Sequence, residues 1–526
     1  MTASFGKKVF QGAIIISAFT LLARLGGFIQ KLVVAHQFGT GIAADAYTFA
    51  FSSIVFTFMI VPHKLLAPFL PLFTERRDKE GEPAAWRFTG AVATLATVLT
   101  ALAVVLGIVF APWMVRVLST FHSEETVLLA TKLVRIMLPA ACFMALFALA
   151  TLIFNADKRF ALPAFADATN KILVIGVMLA LCPFLGIRGL ALGVVAGAAA
   201  CLAVLLMGLR SKLGLVRLAV TWNDPSLKKL AWLVPPTLAS ILTAQARTMI
   251  DYRFASGMGQ GYAASLGYAK SLTDTLVMLV PFAVGVVIYP FFSDLTVSGD
   301  RRKTADAVMG SLRAMAFLLV PVSVALMVLR EPVVQLAFQR GKFEMSSVAL
   351  TSGPLLFFAA ALTALALEIV LMRFYFSAQD TLTPALVGVA CVVVHVGLVI
   401  TFKDTMQHRS IAMATAVSKS LKVLILYVLL RRKLGDLRIG ENLAFGLKTL
   451  AAAGGMALTV YVVDGGVLHL LPARAGQGTW GAMGALACRL GVASTAGFLV
   501  FGGMALALRL REMQRLWAFV RQRLGR

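Results

Sequence analysis

Charged residues are scarce in this chain. Asp, Glu, Lys and Arg together make up 14% of its 526 residues, and only 24 are acidic, against roughly a quarter charged in an ordinary soluble domain. That shortage excludes a water-exposed globular fold. Catalytic signatures are missing as well. There is no Gly-rich phosphate loop, no HExxH helix and no GxSxG elbow, which argues against an enzyme. The five cysteines, Cys142, Cys182, Cys201, Cys391 and Cys488, lie within or at the ends of apolar runs without metal-ligand spacing. They read as small packing residues, so no metal site is expected.

What the chain has in quantity is apolar surface: 59% of residues are hydrophobic and the mean hydropathy is +0.87. Runs of roughly 20 or more apolar residues, each long enough to cross about 30 Å of hydrocarbon as helix, recur from end to end. The expected fold is an all-α integral membrane protein with about fourteen transmembrane helices. The first, seventh and eighth are expected near Phe10 to Val34, Leu230 to Ala255 and Tyr262 to Phe292. The opening MTASFGKKVF has the look of a signal peptide, but Arg24 interrupts the apolar run and no small-residue cleavage site follows. It is read as a retained first helix.

The formal net charge is +25, and its distribution gives a topology. Basic residues crowd the loops of one side, including Arg76, Arg77, Lys228, Lys229, Arg301, Arg302, Arg431 and Arg432. The positive-inside rule makes that side, and both termini, cytoplasmic. Most of the charge therefore reports topology and anionic lipid, and no nucleic-acid partner is expected. The tail RLREMQRLWAFVRQRLGR puts Leu510, Met513, Trp517, Val520 and Leu524 on one helical face with arginines opposite, as in an anchor lying on the inner leaflet.

A shift of 221 positions lays Pro163 on Pro384, Arg188 on Arg409 and Tyr47 on Tyr268. The junctions NADKRFALPAF (Asn155 to Phe165) and SAQDTLTPAL (Ser377 to Leu386) also align, with one residue of difference. The chain is thus expected to hold two pseudo-symmetric lobes of about six helices, 1–221 and 222–438, related by an axis along the membrane normal. Residues 439–526 add two helices and the tail.

Several ionisable residues fall inside or at the ends of the expected spans: Arg24, Asp45, His63, Lys64, Arg247, Asp251, Lys270, Asp274 and Glu368. Each costs roughly 3 kcal/mol near the bilayer centre, so they must face one another or water. Their distribution suggests a polar cavity between lobes, whose cations Arg24, Lys64, Arg247 and Lys270, with His63 able to join them near neutral pH, suit an anionic headgroup such as a pyrophosphate. Structural readings stand beside these. Lys64 can snorkel to an interface, although Pro62 and Pro68 on either side loosen its helix where only protein or water can satisfy the carbonyls. Arg24 can pair with Asp45, and Arg247 with Asp251 four residues on. Asp251 and Glu368 are also candidates for a coupling cation. His395 reads as a hydrogen-bonded packing residue.

The segment LLARLGGFIQKLVVAHQFGTGIAADAYTFAF (Leu21 to Phe51) and the junctions NADKRFALPAFA and FYFSAQDTLTP resemble the MurJ/MviN family of lipid II flippases. That family lies within the multidrug/oligosaccharidyl-lipid/polysaccharide exporter superfamily. The resemblance implies two six-helix lobes around a cationic cavity open alternately to each side, with the two extra helices forming a groove for a polyprenyl tail. The family's first-helix arginine falls on Arg24 and the acidic residue opening its second helix on Asp45. Its second arginine of helix 1 falls on Gln30, its helix 2 arginine on Phe58, and its helix 8 Asp-Arg pair on Lys270 and Ser271. Lys64 and Lys270 are the candidates to substitute for the missing cations.

The expected function is transport of a polyprenyl-diphosphate-linked glycan across a bacterial inner membrane, driven by membrane potential or a cation gradient and needing no other cofactor. Cell-wall or polysaccharide synthesis enzymes are the expected protein partners. A cation-coupled drug exporter of the same superfamily and a non-transporting scaffold for glycan assembly are the alternatives.

Overall fold

The computed structural model describes residues 2–216, 224–279, 281–297, 299–435, 437–470 and 479–514. Most of the amphipathic tail lies outside the described residues. Among them every regular element is helical. Contacts divide the chain into two compact units, 1–264 and 265–526.

The first unit begins with α1 (Thr2–Phe38) and α2 (Ile42–Phe49). A π-helical turn (Ala50–Val55) leads into α3 (Phe56–Leu65), α4 (Phe69–Glu80), α5 (Glu82–Val109) and α6 (Ala111–Leu118). It continues with α7 (Glu124–Met137), α8 (Ala140–Ala156), α9 (Ala161–Leu185), α10 (Ile187–Leu209) and α11 (Pro225–Ser256). Because contacts set the division, α11 falls in the first unit, although the repeat counts it as opening the second half.

After α12 (Tyr262–Leu279), the second unit holds α13 (Pro281–Val297), α14 (Arg301–Val328), α15 (Arg330–Phe338) and α16 (Met345–Ser377). It ends with α17 (Leu382–Met406), α18 (Arg409–Leu434), α19 (Ile439–Leu470) and α20 (Thr479–Ala507). In the first unit the rings of Phe69 and Phe88 stack at 5.5 Å beside Phe73 and Trp86. In the second, small residues on α19 and α20, Ala452, Ala453 and Ala493, let Met456, Val460 and Phe501 pack closely with Ala325 and Leu329.

Eleven helices among the described residues are long and apolar enough to cross a membrane, which does not by itself confirm the expected count of fourteen. The expected first, seventh and eighth spans are the ones outside this set. They carry Arg24, Lys31, Arg247, Asp251, Lys270 and Asp274.

The repeat is written in the backbone. Left-handed φ occurs at Lys158 (58°) and again 221 residues later at Gln379 (56°), then at Gly186 (57°) and at Gln407 (50°). At the first pair, each helix closes with the next amide reaching five residues back, Arg159 N to Phe154 O and Asp380 N to Tyr375 O, the Schellman stop. At the second pair, Gly189 N bonds Gly186 O and Ser410 N bonds Gln407 O. The bounds of α9 and α17 coincide under the same shift. Glutamine at position 407 adopts a conformation that suits glycine, ψ −138° against −141° at Gly186. Side-chain identity has changed here while the turn has not.

His408 follows that turn, 2% exposed, its Nε2 at 2.8 Å from the Leu350 carbonyl oxygen. Burial, with the Arg409 charge beside it, pushes the imidazole down from 6.5 to about 4 despite the Leu350 carbonyl. The unfolded chain takes up this proton as pH falls through about 6.5, the folded chain only near 4. Stability is therefore complete above the unfolded value and is lost progressively below it, by roughly 3 kcal/mol in all. Melting temperatures of purified protein between pH 7.5 and 4.5 should fall less for His408→Gln than for the wild type. Parallel curves would remove His408 as a source of acid sensitivity.

Candidate functional site

In the first unit the polar groups gather along α1, α2, α3 and α11. Asp45, in the first turn of α2, is 2% exposed. Its carboxylate oxygens accept from the backbone N–H groups of Gly261 and, at 2.8 Å, Ala264. Those amides open α12, where N–H groups have no intrahelical acceptor and the helix dipole favours an anion. Asp45 thus acts as a cap across a long stretch of sequence. Both its oxygens are engaged by backbone, whereas Arg24 is exposed on α1.

The π-helical turn follows directly. Gln30 Nε2 donates to the Tyr47 hydroxyl at 3.2 Å. Thr57 donates to the Ser53 carbonyl at 3.2 Å, and Gln245 Nε2 donates to the Thr57 hydroxyl at 3.3 Å. A widened turn held by side-chain hydrogen bonds is a recurrent feature of functional helices. Beyond it, Pro62 lies inside α3, and the helix stops after Leu65 before α4 restarts behind Pro68. The helix runs through Pro62, and the interruption falls at Pro68, which has no N–H to continue the ladder. His63 is half-buried and Lys64 exposed in the last turn before the break. Arg247 and Asp251, both half-buried and both engaged with neighbours, sit on α11.

In the second unit Lys270 is exposed on α12. Glu368 on α16 receives one ammonium group on each oxygen, Lys419 Nζ at 2.7 Å and Lys422 Nζ at 2.7 Å, both from α18. Its side chain is 12% exposed. The carboxylate is thus occupied by tethered cations. On the same helix the Arg373 guanidinium stacks on the Tyr289 ring at 5.6 Å. Farther along the chain Arg489 and Asp464 form a two-pronged pair at 2.5 and 2.6 Å that joins α20 to α19.

Sequence reasoning missed Lys419 and Lys422, although two lysines three apart in an apolar run were a visible signal. It also missed the 464/489 pair. Among the described residues no group of His, Cys, Asp or Glu is arranged to hold a metal ion. Arg24, Lys64 and Lys270 are exposed cations, and ammonium and guanidinium groups suit a phosphate.

The sequence profile described as lipid II flippase MurJ matches residues 34–483. The lipid II flippase MurJ of Burkholderia cenocepacia is 27% identical over 81% of this chain and 84% of its own. A probable lipid II flippase MurJ of Vibrio cholerae is 29% identical over 90% of this chain and 91% of its own. A solved lipid II flippase MurJ in an inward closed conformation superposes with a TM-score of 0.76 at 20% identity, covering 94% of this chain and 99% of that one. The superposition speaks for the fold, and the profile match speaks for the family.

Proposed function

Because the chain belongs to the lipid II flippase MurJ family, we propose that it flips a polyprenyl-diphosphate-linked glycan, lipid II or a related lipid-linked oligosaccharide, between leaflets of the bacterial inner membrane. The protein is a multi-pass membrane transporter, not a catalyst. Its partners are a lipid-linked glycan and membrane lipids. The observation that carries this reading is the family match across most of the chain, in company with the exposed cations Arg24, Lys64 and Lys270. The drug-exporter reading finds no such support, since a cationic cargo would meet Arg24 and Lys64. The scaffold reading finds none either.

In this proposal Arg24, Lys64 and Arg247 on the first unit, and Lys270 on the second, neutralise the diphosphate. Charge-assisted contacts offset the cost of taking the headgroup past hydrocarbon, while the tail stays in lipid. Since Glu368 already carries two ammonium groups, membrane potential is the proposed drive, with no cation bound there. Both termini are proposed to be cytoplasmic, and enzymes that build and consume lipid-linked glycans to be the neighbours. Native mass spectra of the protein released from mild detergent test the substrate. A polyprenyl-diphosphate sugar is the expected adduct, and a spectrum with phospholipids alone would count against the proposal.

A further inference from the structure

Within the first unit, α3, α5 and α11 leave a groove of about 540 Å³. Val61 and Leu65 on α3, Leu95 and Leu99 on α5, and Leu238 and Leu242 on α11 line it. Two threonines, Thr57 and Thr100, also reach it, and the Thr57 hydroxyl is committed to Ser53 and Gln245. Such walls fit hydrocarbon and little else.

Length and charge narrow the choice of hydrocarbon. The lining on α11 runs from Leu227 to Leu242, which is about 22 Å of helix rise. One leaflet of a bilayer offers about 15 Å of hydrocarbon. The groove therefore holds an extended hydrocarbon chain past the depth of one leaflet. Basic side chains flank it in sequence. Lys228 and Lys229, both exposed, separate the lining residues Leu227 and Leu230, and exposed Lys64 adjoins Leu65. Hydrocarbon beside ammonium groups is complementary to a lipid whose long tail begins at a diphosphate.

We propose that this groove is a tail-binding site for a polyprenyl diphosphate, with the diphosphate end against Lys64 and Lys228. The site is distinct from the pair of C-terminal helices that the family resemblance implies for the tail. The proposal rests on the functional reading above and adds to it where the chain of the substrate runs.

The test uses the full-length protein in nanodiscs with a polyprenyl diphosphate bearing a photoreactive group on its chain. Labelled peptides from α5 and α11 are expected, with labelling displaced by unlabelled polyprenyl diphosphate and not by phosphatidylglycerol. Ala231→Trp and Ala96→Trp, which fill the groove, should each weaken probe binding at least about tenfold, the effect of losing roughly two buried methylenes. Labels confined to residues 439–508 would overturn the tail site and leave the transport reading standing. Equal displacement by phosphatidylglycerol would make the groove an ordinary lipid site and also overturn it. No saturable binding to the wild type would overturn the transport reading itself.

Discussion

Glu368→Gln should destabilise the protein by about 3–5 kcal/mol, because it leaves two ammonium groups facing each other without their anion. Lys419 and Lys422 each lie 2.7 Å from a Glu368 oxygen, and none of the three side chains is more than 21% exposed. Water cannot easily replace the carboxylate, and hydrocarbon makes an unpaired charge more costly still. Removing both lysines in the same background, by Lys419→Met and Lys422→Met, should recover most of the loss. Thermal melts in detergent decide it. A Glu368→Gln protein that melts with the wild type would show that the triad adds nothing to stability. Addition of Na⁺ should leave the wild-type melt unchanged, as expected for a carboxylate already neutralised from within.

The second large effect is on transport. The double variant Arg24→Ala, Lys64→Ala should slow flipping of a polyprenyl-diphosphate glycan in reconstituted vesicles by roughly a hundredfold or more. That estimate takes two charge-assisted contacts at about 1.5–3 kcal/mol each. Both side chains are exposed in the first unit, so expression and melting temperature should hardly move. In the same vesicles, replacing Na⁺ by choline should leave the wild-type rate intact, whereas collapsing the potential should lower it. Wild-type rates in the double variant would remove these two residues from the headgroup site.

Much of the architecture could be read from the sequence because it depends on periodicity and composition. Apolar runs specified helices, Pro68 marked an interruption, and an offset of 221 placed turns that recur in the backbone. The charged residues were harder to interpret. Asp45 had an obvious ionic partner nearby in the sequence, yet its carboxylate faces the backbone amides of Gly261 and Ala264. Main-chain donors are absent from any inventory of side chains, and only tertiary structure shows which helix start needs an anion. Glu368 has no basic residue at helical spacing on its own helix, so α16 alone gave no hint of two lysines on α18.

The paired turns carry a consequence for how such a chain can change over generations. Twenty-eight positions separate Lys158 from Gly186, and twenty-eight separate Gln379 from Gln407. A single inserted or deleted residue between them would rotate the remainder of the helix by about 100° and advance it by 1.5 Å, turning its lipid-facing side inward. Substitution has been cheap in these segments, since glycine in one copy answers to glutamine in the other. What the two copies have kept in common is arithmetic: the number of codons between bends is a heritable trait of its own, more persistent than the letters that fill it.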